Sequence, residues 1–390
     1  MKTQSTNWNF PTTVWFGNGR INELVQACEK LNIKNPLFVT DEGLVNLDIV
    51  KTATGVLKSG GVNFNIYSNV QGNPTGKNVT EGVEFYKANN HDSVIAFGGG
   101  SALDAAKTIA FMSGQTRSLW DFEDIGDNWT RADVNGIAPI IAVPTTSGTG
   151  SEVGRAAVIL DEEVHSKKII FHPNMLPDLI IADPELTVGL PPHITAWTGV
   201  DAMVHALEAY CAPGYHPMAE GIAIEAIRMI AKYLPIAFAD GKNLEARGQM
   251  LTASSMGAVA FQKGLGSIHS VAHQLGAIYN IQHGLANSIL LPYGIKQNAS
   301  AIEEKMVHLC IVLGLENPGT DRFIQYILDL RKQFNIPHTL SEVDIDGKIA
   351  VEIGKKAFDD PSTPTNAKPV TAQDLQNLFT AALVGDLEAL

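Results

Sequence analysis

A chain of 390 residues is longer than one hydrophobic core normally organises, so two domains are the expectation. With 45% hydrophobic and 18% charged residues the composition is that of a globular protein, and a formal net charge of −13 argues against nucleic acid or an anionic membrane surface as a general partner. Cys28, Cys211 and Cys310 form no C-x-x-C pair, the opening "MKTQSTNWNF" has no apolar leader, and no run reaches the length of a membrane span, so a reducing, cytoplasmic setting is expected.

The first half alternates short apolar runs with helical patterns. "FPTTVWFGNGRI" (10–21) reads as an early strand or hairpin turned by Gly17-Asn18-Gly19, and as an edge strand it could pair with a second subunit. "PLFVTD" (36–41) reads as a buried strand ending on Asp41, which either caps the next segment or accepts hydrogen bonds from a nucleotide ribose. "GNPTGKN" (72–78) superficially suggests a Walker A loop. It is one residue short and has Asn78 where the magnesium-binding hydroxyl belongs, which excludes that reading.

"SVIAFGGG" (93–100) is a strand that runs through Gly98, Gly99 and Gly100 into the helix "SALDAAKTIAFM" (101–112). Adjacent glycines admit a diphosphate to the backbone, and the helix start offers N–H groups to it; alternatively Ser101 and Asp104 form a capping box. Further strands are read at 136–146, leading into the hydroxyl-rich "PTTSGTGSE" (144–152), and at "DLIIADP" (178–184). Apolar strands alternating with helices predict a parallel, doubly wound sheet over residues 1–189, with ligands beyond the carboxyl ends of its strands.

From residue 190 onward the period is 3.6 and β-branched runs disappear, for example over 217–233, 244–262 and 301–313, which predicts an all-helical domain over 190–390. "DDPSTPTNAKPVT" (359–371) reads as a polar loop before one last helix. Within "GVDAMVHALEAYC" (199–211), Asp201 and His205 lie four apart on one helix face, and Glu208 either orients a histidine or makes a structural salt bridge. "GLGSIHSVAHQLGAIYNIQHG" (264–284) adds His269, His273 and His283, the first two on one face and the third after a loop-like "YNIQ". Three histidines in one apolar segment, together with Asp201 and His205, are better explained by a shared cation than by core packing. Imidazoles with one carboxylate suit Fe²⁺, Zn²⁺, Co²⁺ or Ni²⁺, and the absence of H-E-x-x-H excludes the common metalloprotease pattern. The remaining histidines, among them His91, His165, His193, His216, His308 and His338, read as unremarkable.

Taken in order and spacing, "GGGSALDAAK" (98–107), "PTTSGTGSE" (144–152), "LIIADPELTVGLPPHITAWTGVDAMVHALEAY" (179–210) and "GLGSIHSVAHQLGAIYNIQHGLAN" (264–287) resemble the iron-containing (group III) alcohol dehydrogenases over nearly the whole chain. The resemblance implies a Rossmann-like α/β dinucleotide-binding domain followed by an all-α metal-binding domain, an architecture shared with dehydroquinate synthase. It implies that Asp201, His205, His269 and His283 are the metal ligands, with Fe²⁺ or Zn²⁺ as the ion, and that His273 relays a proton near the nicotinamide. It also implies that Asp41, Asn73, Gly99, Gly100, Ser101, Asp104, Thr145, Thr146, Thr149 and Lys167 line the dinucleotide, with Lys168 as the alternative to Lys167. Asp41 favours NAD over NADP. The implied activity is reversible hydride transfer between a small alcohol, or its aldehyde or ketone, and NAD, in a homodimer. The rival readings are a dehydroquinate synthase-like lyase, which needs a basic phosphate-binding cluster, and a non-catalytic metal- or nucleotide-binding scaffold. The chain departs from its resemblance at "FQKGLG" (261–266), a short segment whose Lys263 reads either as a solvated lysine or as a cation for a carboxylate-bearing substrate such as a hydroxy acid.

Overall fold

Strands apolar on both faces must be covered on both sides, and four such runs form the middle of a parallel sheet. The computed structural model describes residues 12–390, so the first two residues of the 10–21 reading lie outside the described residues. Strands β1 (Thr13–Phe16), β2 (Pro36–Val39), β3 (Asn65–Tyr67), β4 (Ser93–Gly98) and β5 (Ile140–Pro144) are followed by β6 (Ala156–Asp161), β7 (Ser166–Phe171) and β8 (Leu179–Ala182). Helices α1 (Leu24–Lys30), α2 (Asp48–Ser59), α3 (Gly76–Ala88) and α4 (Gly100–Met112) lie between them. The main sheet has the order β1-β8-β5-β4-β2-β3 and every pair in it is parallel. β2, β4, β5 and β8 are buried throughout, whereas the edge strand β1 leaves Val14 and Phe16 about half exposed.

The strand order fixes where a ligand belongs. From β2 the chain moves outward to β3; from β4 it moves the other way, to β5. The carboxyl ends of β2 and β4 therefore flank the topological switch point, the crevice where doubly wound sheets bind ligands. Asp41 follows β2 there, and the three glycines close β4 there. Gly98 has φ 147°, and a Cβ on it would stand 2.7 Å from the Cβ of Ala102, so only glycine fits this turn.

β6 and β7 form an antiparallel hairpin that the sequence reading omits. β6 alternates between half-buried and buried residues, but its companion carries Ser166, Lys167 and Lys168 and looks like a loop in sequence. Among the groups that tie this hairpin to α4 is Lys107. Its side chain is 1% exposed, and Nζ donates to the carbonyls of Ser151 (2.9 Å) and Ala156 (2.5 Å). Burial pulls the ammonium below the ordinary lysine range, and the charge of Asp104 opposes that pull.

The described residues divide into two units, 12–146 with Gly150–Gly189, and Ser147–Thr149 with Leu190–Leu390. The second unit contains α5 (Pro192–Cys211), α6 (Pro217–Ala239), α7 (Leu244–Ala260), α8 (Ser267–Tyr279), α9 (His283–Val312), α10 (Thr320–Gln333), α11 (Ala350–Phe358) and α12 (Ala372–Val384). Helix α5 is its axis, packed against α6, α7 and α9. It begins with Pro192 at its first position, where the missing N–H is not needed, and its sides are buried nearly all round. At its other end the carbonyl of Tyr210 receives both Lys263 and Lys305, cations suited to a helix C-terminus. Close approach to α9 depends on Gly284, where a Cβ would stand 2.6 Å from the carbonyl oxygen of Trp197. Among the described residues no helix is long and apolar enough to cross a membrane.

Replacing Lys107 with methionine strands buried carbonyls in the segment 151–156. The expected outcome is a loss of about 2–4 kcal/mol in the stability of the α/β unit, measured as a lower urea midpoint. An unchanged midpoint would show that the ammonium contributes nothing.

Candidate functional site

Helix α5 places Asp201, His205 and Glu208 along one face, and α8 brings His269 and His273 to meet it. His283 is the first residue of α9, delivered by the short link 280–282 in which Asn280 takes a left-handed conformation (φ 53°). One donor atom from each of Asp201, His205, His269 and His283 lies within 4.8 Å of the others. Asp201, His205 and His269 are buried, while the His283 side chain is 24% exposed, so the group opens on the His283 side.

The distances are those of a ligand set rather than of ion pairs. Oδ1 of Asp201 is 4.0 Å from Nε2 of His269 and 3.7 Å from Nε2 of His283, too far for hydrogen bonds. Two donors that each sit about 2.0–2.1 Å from one cation stand roughly 3–4 Å apart. The rings also pack on one another: His205 stacks on His269 with centroids 4.6 Å apart, and His283 lies 5.4 Å from His269.

Glu208 decides how His269 faces the group. Its Oε2 accepts the Nδ1 proton of His269 at 2.6 Å, which leaves the Nε2 lone pair to point inward, and its Oε1 accepts the N–H of Ile268. Of the two readings of Glu208, the structure supports the orienting one. Burial drives the imidazole of His205 down to about 4, so it is neutral at ordinary pH. Burial also lowers His269, but the hydrogen bond and charge of Glu208, with Asp201 and Asp360, outweigh it and hold this imidazole above its ordinary value.

His273 stands beside the group without joining it. Its ring stacks on His283 at 5.5 Å, and its Nδ1 is tied to Oδ2 of Asp360 at 2.9 Å. Burial would raise the Asp360 carboxyl, yet His273 and the N–H of Ser362 pull it below the usual carboxylate range. Asp360 lies in the polar loop 359–371, which also binds α8 and its approach: Thr363 donates to Ser270, Thr365 accepts from the N–H of Leu265, and Asn366 accepts from the N–H of Ser267. Sequence reading took this stretch for a connection, and its only signal was the density of Asp, Thr and Asn. Asn287, one turn into α9 from His283, was missed as well; its amide nitrogen contacts Asp201 at 2.6 Å.

Lys263 does not present a free cation. Its side chain is 2% exposed and its Nζ lies 2.7 Å from Oε1 of Glu220, so attraction of a substrate carboxylate by this residue is corrected to an internal ion pair.

In the α/β unit, Asp41, Asn73, Gly99, Gly100, Ser101, Asp104, Thr145, Thr146 and Lys167 all belong to one body, while Thr149 belongs to the helical unit. The alternatives for Asp41 prove compatible: Oδ1 accepts the N–H groups of Gly43 and Leu44 as a turn cap, and Oδ2 faces Gly98. The capping-box reading of Ser101 and Asp104 is corrected. The helix starts at Gly100 with Gly99 as its uncharged cap and no side-chain bond there. Ser101 Oγ instead donates to the carbonyl of Gly72 at 2.6 Å, drawing the 72–73 turn against the glycines. The Asp104 carboxylate accepts Ser151 Oγ and the N–H of Val158, so both of its oxygens brace the unit. Thr146 packs on Gly99, and Thr145 donates its N–H to the carbonyl of Gly98. Lys168 is committed to Asp161 at 2.8 Å and to Glu123 at 3.6 Å.

Comparison with known proteins agrees along nearly the whole chain. The family model described as iron-containing alcohol dehydrogenase matches residues 11–184, and that of the Fe-containing alcohol dehydrogenase family, C-terminal, matches residues 195–383. An NAD-dependent methanol dehydrogenase of Bacillus methanolicus is 33% identical over 385 residues, 97% of this chain and 100% of the relative. A 4-hydroxybutyrate dehydrogenase of Cupriavidus necator is 33% identical, covering 94% of this chain and 96% of its own length. The crystal structure of a 1,3-propanediol oxidoreductase superposes with a TM-score of 0.92 at 32% identity, covering 97% of this chain and 100% of that one.

A cation entering the group must displace the proton that His269 retains above its ordinary value. Apparent affinity for a divalent cation is therefore expected to fall as the pH drops from above 6.5, by about tenfold per pH unit for the one displaced proton. His205 adds no further loss until about pH 4. Competition with a chromophoric chelator across that range measures the slope, and a flat profile would contradict it.

Proposed function

The chain belongs to the iron-containing alcohol dehydrogenase family, and from that premise we propose that it exchanges a hydride between a small alcohol and NAD, with a divalent cation held by Asp201, His205, His269 and His283. The observation that carries the reading is the convergence of three imidazoles and one carboxylate from three helices within 4.8 Å. The donors fit a cation on chemical grounds: His205 is kept neutral by burial, His269 has its tautomer set by Glu208, and no thiolate is present to close the site. Nitrogen and carboxylate donors of this kind suit Fe²⁺, and they also accept Zn²⁺.

The chemistry these groups supply when bound is acidification of an alcohol hydroxyl by the cation and acceptance of hydride by the nicotinamide. The protein's own residues prepare that chemistry. Glu208 holds His269 in the ligating tautomer. Asp360 holds Nδ1 of His273 and so directs the other ring nitrogen away from itself, placing a proton carrier next to the exposed side of the donor group. In the α/β unit, the uncapped N–H groups at Gly100 and Ser101 suit a diphosphate, with Asn73, Thr145, Thr146 and Lys167 as further contacts to the dinucleotide. Asp41, with Oδ2 toward Gly98, suits a ribose and repels a 2′-phosphate, which favours NAD over NADP.

The half-exposed Val14 and Phe16 on the edge strand β1 support a homodimer that continues the sheet through a second copy. The three free cysteines and the net charge of −13 are in keeping with a cytoplasmic enzyme that acts on small molecules. The lyase alternative needs a basic cluster near the donors, and the nearby lysines Lys263 and Lys305 are engaged by Glu220 and the carbonyl of Tyr210.

Stopped-flow detection of NADH with a panel of small alcohols, on protein stripped with chelator and reloaded anaerobically with Fe²⁺ or Zn²⁺, tests the reading. Turnover is expected only after reloading, and turnover of stripped protein would overturn the metal's part in it. His273→Ala is expected to slow turnover by about 10²-fold or more while metal content stays at the wild-type level; loss of metal instead would make His273 a ligand. Asp41→Gly is expected to raise the use of NADP relative to NAD, as read from the ratio of kcat/KM values.

A further inference from the structure

The donor group contains a fifth polar side chain that none of its ligand chemistry requires. Asn287 is fully buried on α9, one helical turn after His283. Its Nδ2 lies 2.6 Å from Oδ1 of Asp201, 3.2 Å from Nε2 of His269 and 3.1 Å from Nε2 of His283. An amide nitrogen carries two protons and no lone pair, so at this place it donates to the same lone pairs that a cation would take. The other end of the amide is different: Oδ1 is buried and has no hydrogen-bond partner. The orientation of the side chain is therefore set by the donors alone, and turning it breaks no bond at its oxygen end. The terminal torsion of asparagine is broad and two-fold, so such a turn is open to it.

We propose that Asn287 is an amide clamp on the metal donors, a reading that rests on the metal site proposed above. In the metal-free protein its two N–H groups are shared among Oδ1 of Asp201 and the inward nitrogens of His269 and His283. The clamp keeps the ligand group assembled before the cation arrives, and it competes with the cation for the same lone pairs. Uptake of metal is thus an exchange of amide N–H for cation, and Asn287 sets the affinity by stabilising the empty state. The residue is a positioning residue for the ligands and takes no part in the transfer of hydride.

The test compares wild type with Asn287→Leu, which is similar in size and cannot donate, and Asn287→Ala, which cannot overpack. Each full-length protein is stripped with chelator, then titrated with Zn²⁺ alone against a chromophoric chelator, and its thermal midpoint is recorded stripped and loaded. The clamp predicts that both variants lose midpoint in the stripped form more than in the loaded form, and that both bind Zn²⁺ about tenfold more tightly than wild type. A packing role would lower stripped and loaded midpoints equally at unchanged affinity, and a role in holding the loaded site would weaken binding; either result overturns the clamp. Failure of wild type itself to bind Zn²⁺ would instead overturn the metal site on which the clamp depends.

Discussion

One hydrogen bond, from Nδ1 of His269 to Oε2 of Glu208, sets the chemistry of the helical unit. An imidazole has two nitrogens and can present only one lone pair when neutral, so whichever nitrogen is protonated decides whether the other is a ligand. Glu208 takes the proton-bearing side, and through its second oxygen it also takes the N–H of Ile268 in the first turn of α8. The same carboxylate thus fixes the tautomer of a side chain and docks the helix that carries it. Its position is dictated by α5, where Asp201, His205 and Glu208 recur at the spacing that keeps them on one face. An apolar helix buried on its other sides leaves that stripe nowhere to go except toward α8 and α9.

The α/β unit solves a different problem, because the turn at its switch point is glycine backbone. A glycine turn at the switch point is useful only if the loops around it are fixed without using up its N–H groups. The structure assigns that task to side chains pointing away from the turn. Ser101 ties the turn at residue 72, Asp104 holds Ser151 and Val158, and Lys107 gathers the carbonyls of the 151–156 segment. Each recurs three residues after the last along α4, so one helix face organises three loops. A cation as deeply buried as Lys107 is costly unless its partners are complete, which makes the packing of the hairpin and the placement of the turn a single event.

How much of this was legible follows from the range of each interaction. The strands β2, β4, β5 and β8 are readable because burial on both faces demands unbroken apolar runs, and the pair Asp201 and His205 is readable because a helix converts a spacing of four into adjacency. The ranking of His269, His273 and His283 is not readable from spacing. It depends on Asp360, which lies 87 residues beyond His273 and turns that ring's Nδ1 away from the donors. The hairpin strand β7 hid behind its lysines, since Lys168 is neutralised by Asp161 and Glu123, partners that only the folded chain brings together. Lys107 and Asn287 had a faint local signal, a polar residue among apolar neighbours on a helix, but such a signal names no partner. Lys263 misled for the same reason: a lysine near a site looks available until its carboxylate is found.

Four polar groups around the donors share one arrangement. Facing outward, they are satisfied by protein: His269 by Glu208, His273 by Asp360, Glu208 by the N–H of Ile268, and Asp360 by the N–H of Ser362 and by Gln274. Facing inward, the lone pairs of Asp201, His269 and His283 converge on one another and on a single amide. A buried network with satisfied outer bonds is rigid, and rigidity is what allows lone pairs of like character to be held within 4.8 Å. The loop 359–371 is therefore as much a part of the site as the histidines, since Asp360, Thr363 and Asn366 anchor α8 through His273, Ser270 and Ser267. The convergence of Asp201, His205, His269 and His283 rests as much on the neighbours that turn their side chains inward as on the four residues themselves.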